Sequence, residues 1–184
     1  MKVLIFVTFF AFASCDIDLK SFDWSSVKPL SEIKEWREVH KIRDEIKISN
    51  SRLSSRIING DIAGSTEFPY MAGVMLHFDT GNSFCGGSLI SRRFVLTAAN
   101  CVHIVPSASV LLGASNMFGN IEENIRVSTI RVHPQYSFDD SLNDIATLEL
   151  SREVTLSLTV NLVRLPNRRQ VQSTFDNQEG LVAG

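Results

Sequence analysis

Few side chains in these 184 residues could carry chemistry, and their spacing limits what that chemistry is. The histidines are His40, His77, His103 and His133, and no two stand at a metal-ligand spacing, so neither a metal nor a cofactor is expected. His133 opens the loop-type run His133-Pro134-Gln135-Tyr136 and carries no expected chemistry. Asp144 follows Asn143, a natural capping dipeptide, so one reading is a turn carboxylate that caps a backbone amide. Arg56 ends the small, polar run 49–56, which reads as exposed and easily cut. A cut after Arg56 would free a charged amine on Ile57, and such a group can be buried only where a carboxylate meets it. A solvated linker charge is the alternative for Arg56. Cys85 and Cys101 are thiols whose redox state depends on compartment.

The elements that must position these groups fall into three stretches. Residues 1–15 open with Lys2, continue through the apolar run 3–13, interrupted only by Thr8, and end in small residues, the order of a signal peptide, and too short to span a bilayer. Cleavage after Cys15 leaves the even pair Cys85 and Cys101, whereas cleavage after Ala13 leaves an odd thiol; the even count is preferred. Residues 16–56 form a charged pro-segment with 9 basic and 8 acidic side chains. Within it Ser31 is expected to cap a helix whose apolar stripe is Ile33, Trp36, Val39, Ile42 and Ile46, with Glu32 in the first turn. That stripe could serve a partner helix or pack on the neighbouring domain. From residue 57 onward, short apolar runs at 84–91, 94–99, 110–113, 125–132 and 145–150 read as strands, with turns at Gly81-Asn82, Gly119-Asn120 and Pro134-Gln135. Strands without intervening long helices indicate an antiparallel sandwich or closed barrel.

Length and composition exclude other classes. The chain has room for one domain and a short extension. With 44% hydrophobic and 21% charged residues it can bury a core, which excludes fibrous and wholly disordered classes. A formal net charge of −2 removes nucleic acid as an expected partner, since phosphate binding relies on clustered Lys and Arg. No Asn-x-Ser/Thr acceptor for N-glycosylation occurs.

Five motifs then occur in one order: Arg56-Ile57-Ile58-Asn59-Gly60, Glu67-Phe68-Pro69-Tyr70, FCGGSLIS at 84–91, RFVLTAANCVH at 93–103 and NDIATLEL at 143–150. Together they resemble the trypsin and chymotrypsin family of serine proteases, over residues 57–184. The resemblance implies an all-β fold of chymotrypsin type, with two antiparallel barrels and the catalytic site between them; these residues correspond to the first. It implies that Cys85 and Cys101 form the disulfide beside the active site, closing a loop that contributes roughly 3 kcal/mol. Asp144 takes the position of the buried acid that orients the catalytic imidazole. Arg56-Ile57 takes the position of the activation cleavage. Ser88 falls on a strand near the site and not on the nucleophile.

The chain departs from the family pattern at its base. Where Thr-Ala-Ala-His-Cys is expected stands Thr97-Ala98-Ala99-Asn100-Cys101. An amide cannot take a proton from a serine hydroxyl near neutral pH, so the general-base contribution of about 10²–10⁴ disappears. His103 lies beyond the half-cystine and is not expected to replace it. No Gly-Asp-Ser-Gly-Gly occurs in these residues, so the sequence is expected to be a piece truncated after the first barrel, lacking the nucleophile and inactive as it stands. A 57–184 piece alone is expected to expose an apolar seam and to aggregate.

The resemblance implies a secreted, extracellular serine endopeptidase zymogen, with protein or peptide substrates, an activating protease that cuts after Arg56, and protease inhibitors among its partners. No membrane span is expected. The alternatives are a non-catalytic homologue that acts as a binding or cofactor protein, and a free-standing structural barrel.

Overall fold

The computed structural model describes residue 19 and residues 22–40, 63–64, 66–114, 120–170, 179–180 and 183. Six strands form its centre: β1 (Met71–Phe78), β2 (Gly81–Ser91), β3 (Phe94–Thr97), β4 (Ser107–Leu112), β5 (Glu123–Val132) and β6 (Ala146–Leu150). They close into an antiparallel barrel in the order β1-β2-β3-β6-β5-β4. Closure follows from double pairing. Val74 of β1 lies opposite Cys85 of β2 and Val110 of β4, and Leu148 of β6 lies opposite Val95 of β3 and Ile130 of β5. Closing the sheet removes the exposed edges that an open one would present.

The expected barrel is present, and alternation along its strands fills it. Val74, Leu76, Leu89, Val95, Val110, Leu112, Ile125, Leu148 and Leu150 each keep no more than 1% of their surface exposed. Burying each such side chain contributes about 1.5–3 kcal/mol. Val154 and Val160, from the segment after β6, close the same core. Beside them the buried Glu123 takes the Thr155 amide at 3.0 Å and pairs with Arg152 at 2.6 Å. Gly87, in the FCGGSLIS run, lets β2 and β3 meet: a Cβ there would stand 2.8 Å from Val95 Cγ1.

Several boundaries differ from those the sequence suggests. β1 is absent from the expected strands, because Val74, Met75 and Leu76 are buried in succession and break the alternation. The turn expected at Gly81-Asn82 lies at residues 79–80, and Gly81 and Asn82 already pair with Phe78 and His77. Gly81 makes this possible with a φ of 146°, which side chains with a Cβ rarely adopt. The strand expected over 94–99 stops at Thr97. Ala98 stays extended and the chain then coils into the short helix α2 (Ala99–Val102). The Pro134-Gln135 turn is present, with the Tyr136 amide on the His133 carbonyl at 2.9 Å, whereas Gly119 lies outside the described residues.

The N-terminal segment is helical over a shorter span than the stripe suggests. Two 3₁₀ turns, Trp24–Ser26 and Leu30–Glu32, precede helix α1 (Lys34–His40). Ser31 and Glu32 belong to the second 3₁₀ turn, so Ser31 is not the cap of α1, and the acid in the first turn of α1 is Glu35. Pro29, with φ fixed near −53°, starts the turn early. Ile33 is 1% exposed and joins the barrel core, with Leu30 and Trp36 packed against it, whereas Val39 is 56% exposed. The stripe therefore packs on the barrel through its first members. Ile42 and Ile46, the leader 1–15 and the Arg56-Ile57 bond lie outside the described residues.

Candidate active site

The pairing of β3 with β6 assembles the site. Thr97 lies opposite Ala146, so the chain leaving β3 and the chain entering β6 emerge side by side at one end of the barrel. The first turns into α2 and carries Asn100; the second carries Asp144. Before Asp144 the backbone bends sharply: Ser141 and Asn143 have φ of 52° and 54°, and the Ile145 amide reaches back to the Asn143 carbonyl at 2.8 Å. Asparagine tolerates this left-handed region better than most residues, and the Asn143 side chain fixes the bend by donating to the Gln135 carbonyl at 2.9 Å. Leu142 and Ile145, 58% and 44% exposed, flank the bend.

Asp144 and Asn100, both half-buried, form a two-point pair. The Asn100 backbone amide donates to Asp144 Oδ1 at 2.8 Å, and Asn100 Nδ2 donates to Oδ2 at 2.9 Å. Both carboxylate oxygens thus face the same residue. One side-chain N–H is spent on the acid, and the Asn100 side-chain carbonyl oxygen is a neutral acceptor. Such an oxygen can accept a hydrogen bond but cannot hold a proton near neutral pH. The arrangement orients and stabilises, and its amide cannot perform general-base chemistry.

Aromatic residues surround this pair. The Tyr136 hydroxyl is buried and finds no hydrogen-bond partner among the described residues. Burial, and secondarily the negative charge of Asp144, push its phenol above the ordinary range. The His103 ring packs edge-on to Tyr136 at 5.3 Å and stacks on Phe138 at 6.0 Å, and its Nδ1–H donates to the Ala99 carbonyl at 3.2 Å. Those contacts hold the imidazole in the aromatic cluster one helical turn beyond Asn100. Trp36 reaches the same cluster from α1. Its ring meets Phe138 edge-on at 5.7 Å and its Nε1–H donates to the Asn100 carbonyl at 3.4 Å. In the sequence Trp36 is only a member of an apolar stripe, and Tyr136 has no role. The indole contact has no local signal, because it spans 64 residues.

The remaining sequence candidates take no part in the Asn100–Asp144 pair. Cys85 and Cys101 form a disulfide across a Cα–Cα distance of 6.4 Å, tying β2 to α2 next to Asn100. Thr97 adds a hydroxyl bond to the Gly86 carbonyl at 2.8 Å. Ser88 is a paired residue within β2, opposite Met71 and Leu96. His77 bridges Asn82 and Ser109 at 2.9 and 3.1 Å, and His133 Nδ1 accepts the Gln135 amide at 3.2 Å, so both serve the scaffold. Among the described residues no group of three or more His, Cys, Asp or Glu could hold a metal, and no helix is long and apolar enough to cross a membrane. A groove of about 840 Å³ runs beside Leu162, Leu165 and Ile90. Among the described residues Arg164 is its one charged lining residue, so those residues offer no acid–base pair there.

A family model described as Trypsin matches residues 57–184. A chymotrypsin from Phaedon cochleariae is 32% identical over 133 residues, covering 71% of this chain and 48% of that protein. A collagenase from Hypoderma lineatum is 35% identical over 130 residues, covering 70% of this chain and 49% of its own length. A solved structure described as HL collagenase superposes with a TM-score of 0.62 at 34% identity, over 66% of this chain and 52% of that one. The chain spans about half the length of the curated relatives it matches.

Proposed function

From the premise that the chain belongs to the trypsin family of serine proteases, we propose that it is a secreted zymogen of the endopeptidase type whose hydrolytic step is disabled at its base. In this reading residues 1–15 direct secretion and residues 16–56 are a pro-segment. An activating protease cuts after Arg56 to free the Ile57 amine, and proteins or peptides are the ligands of the mature cleft, with protease inhibitors as further partners. Asp144 is the orienting acid. The observation that carries the proposal is the Asn100–Asp144 pair at 2.8 and 2.9 Å.

The physical consequence is specific. In acyl transfer of this kind the hydroxyl nucleophile gives its proton to a base as it attacks, and the acid holds that base and stabilises its charged form. Here the acid holds an amide. Asp144 can still position its partner, but the partner offers no site for the proton. A second reading, a non-catalytic homologue that binds or assists another protein, is favoured by the same pair, because Asn100 satisfies both oxygens of Asp144.

The test uses the full-length secreted product, cut after Arg56 and assayed on peptide esters and amides with basic, aromatic and small residues before the scissile bond. Hydrolysis by the unaltered product is expected to stay at background. Asn100→His is expected to raise it by at least about 10²-fold, the low end of a general-base contribution. Turnover in the unaltered product that disappears in Asp144→Ala would overturn the disabled-base proposal. An Asn100→His product that stays inert would favour the binding homologue.

A further inference from the structure

Residues 22–40 touch the barrel at three separate places. Val27 forms a parallel bridge with Asn82, and the Lys28 amide donates to the Asn82 carbonyl at 2.9 Å. The Glu35 carboxylate takes the Thr80 amide at 3.1 Å and also accepts from the Thr80 hydroxyl. Those contacts clamp the β1–β2 turn. Trp36 reaches across to α2 through the Asn100 carbonyl and to the loop before Asp144 through Phe138. Between the two clamps Ile33, 1% exposed, sits in the barrel's own core cluster.

An element held this way is part of the fold. Withdrawing it would return the Ile33 side chain to water and open the core where it sat, leaving the Thr80 and Asn82 backbone groups to find water instead. No disulfide within these residues can hold it in place. Residues 22–40 contain no cysteine, Cys85 and Cys101 are spent on each other, and Cys15 leaves with the signal segment in the reading given above.

We infer that residues 22–40 are a non-covalently retained light chain: after a cut in the stretch that follows them, they stay seated on the β1–β2 turn, α2 and the Phe138 loop. This rests on the pro-segment reading given above. Cleavage then frees Ile57 without uncovering that face, and the light chain continues to brace, from outside, the helix of Asn100 and the loop of Asp144. The surface it occupies fits a short 3₁₀ and helical segment that presents an aliphatic plug, a carboxylate and an indole at the spacing of Ile33, Glu35 and Trp36.

The experiment needs no catalytic activity, so its failure is distinct from failure of the disabled-base proposal. A recognition sequence for a site-specific protease replaces residues 50–55 of the full-length secreted product. The protein is cut to completion and passed over a sizing column at about micromolar concentration. The two chains are expected to co-elute, to separate in guanidinium, and to keep the Thr80 amide protected from hydrogen exchange. Trp36→Ala and Ile33→Asp are each expected to weaken retention by at least about tenfold, as loss of a buried anchor does, while exposed Glu38→Ala leaves it unchanged. Should Ile33→Asp fail to be secreted, Trp36→Ala decides alone. A light chain that elutes free while the barrel stays folded, or anchor variants retained as well as the unaltered chain, would overturn the inference.

Discussion

The paired strands β3 and β6 carry two different kinds of structure along one ladder. In the middle, Val95 faces Leu148 and both are fully buried. At the end, the chain leaving Thr97 and the chain entering Ala146 carry Asn100 and Asp144, which meet through two directional hydrogen bonds. The middle is specified by shape and apolarity alone, so many sequences would serve. The end is specified by the identity of donors and acceptors. An imidazole and an amide can both donate to Asp144, and only one of them can also receive a proton. The barrel is therefore compatible with either group at its end, and its completeness is no evidence of what chemistry that end performs.

The largest expected effect comes from breaking the middle. Leu148→Ala should destabilise the protein by about 2–5 kcal/mol, the range for truncating a buried leucine when the cavity cannot collapse. Leu148→Met should cost less than about 1.5 kcal/mol, because volume is kept. Denaturant midpoints at constant slope measure both. If the alanine variant lost no more than the methionine one, the interior would not be close-packed and the contrast with the end would fail.

The same contrast explains which parts of the molecule are legible in its amino-acid sequence. The barrel is legible because apolar residues alternate at Ile125 and Val127, at Ile130 and Val132, and at Ala146, Leu148 and Leu150, and such alternation has one physical solution, a pleated sheet with one face buried. β1 is not, since Met75 is buried along with both its neighbours, which hides the period of two. At the site, Asn100 and Asp144 are legible only as positions in a family pattern. Nothing local in Asn143-Asp144 says which groups the carboxylate meets; its partners, the Asn100 amide and side chain, lie 44 residues away. The seat of Trp36 and Ile33 is out of reach for a related reason. Periodicity announces that a stripe must be covered and says nothing about which surface covers it, and Pro29 moves the helix start in a way that the Ser31 signal does not predict.

An intermediate effect is expected at the end of the ladder. Asn100→Ala removes the bond from Nδ2 to Asp144 Oδ2 and keeps the backbone bond to Oδ1. A hydrogen bond to a charged group contributes about 1.5–3 kcal/mol, and water can reach this half-buried carboxylate, so the loss should fall near the lower figure. Asn100→His should recover most of it through a ring N–H aimed at the same oxygen. Thermal unfolding of the three proteins at one pH reads this order. An alanine variant as stable as the parent would mean that the pair holds nothing in place.

The smallest effect separates polar from apolar parts by pH. Burial of the Glu123 carboxyl works to raise its pKa, but the Arg152 guanidinium at 2.6 Å and the Thr155 amide at 3.0 Å outweigh it, and the net result lies below the ordinary glutamate value. A carboxyl held low binds its proton more weakly in the folded chain than in the unfolded one. Its contribution is therefore present above the ordinary glutamate pKa and is lost as pH falls through the depressed one. Glu123→Gln should flatten this part of the acid limb of a stability–pH curve, while Leu148→Met should shift the whole curve without changing its shape. The aliphatic core binds no protons, so any acid-induced loss that survives Glu123→Gln must come from other titratable groups. Should the curve keep its full slope in Glu123→Gln, the bond to Arg152 would be contributing no more than an exposed surface pair, and the segment that carries Val154 would be held by its apolar contacts and by the Val154 amide on the Arg92 carbonyl at 2.9 Å.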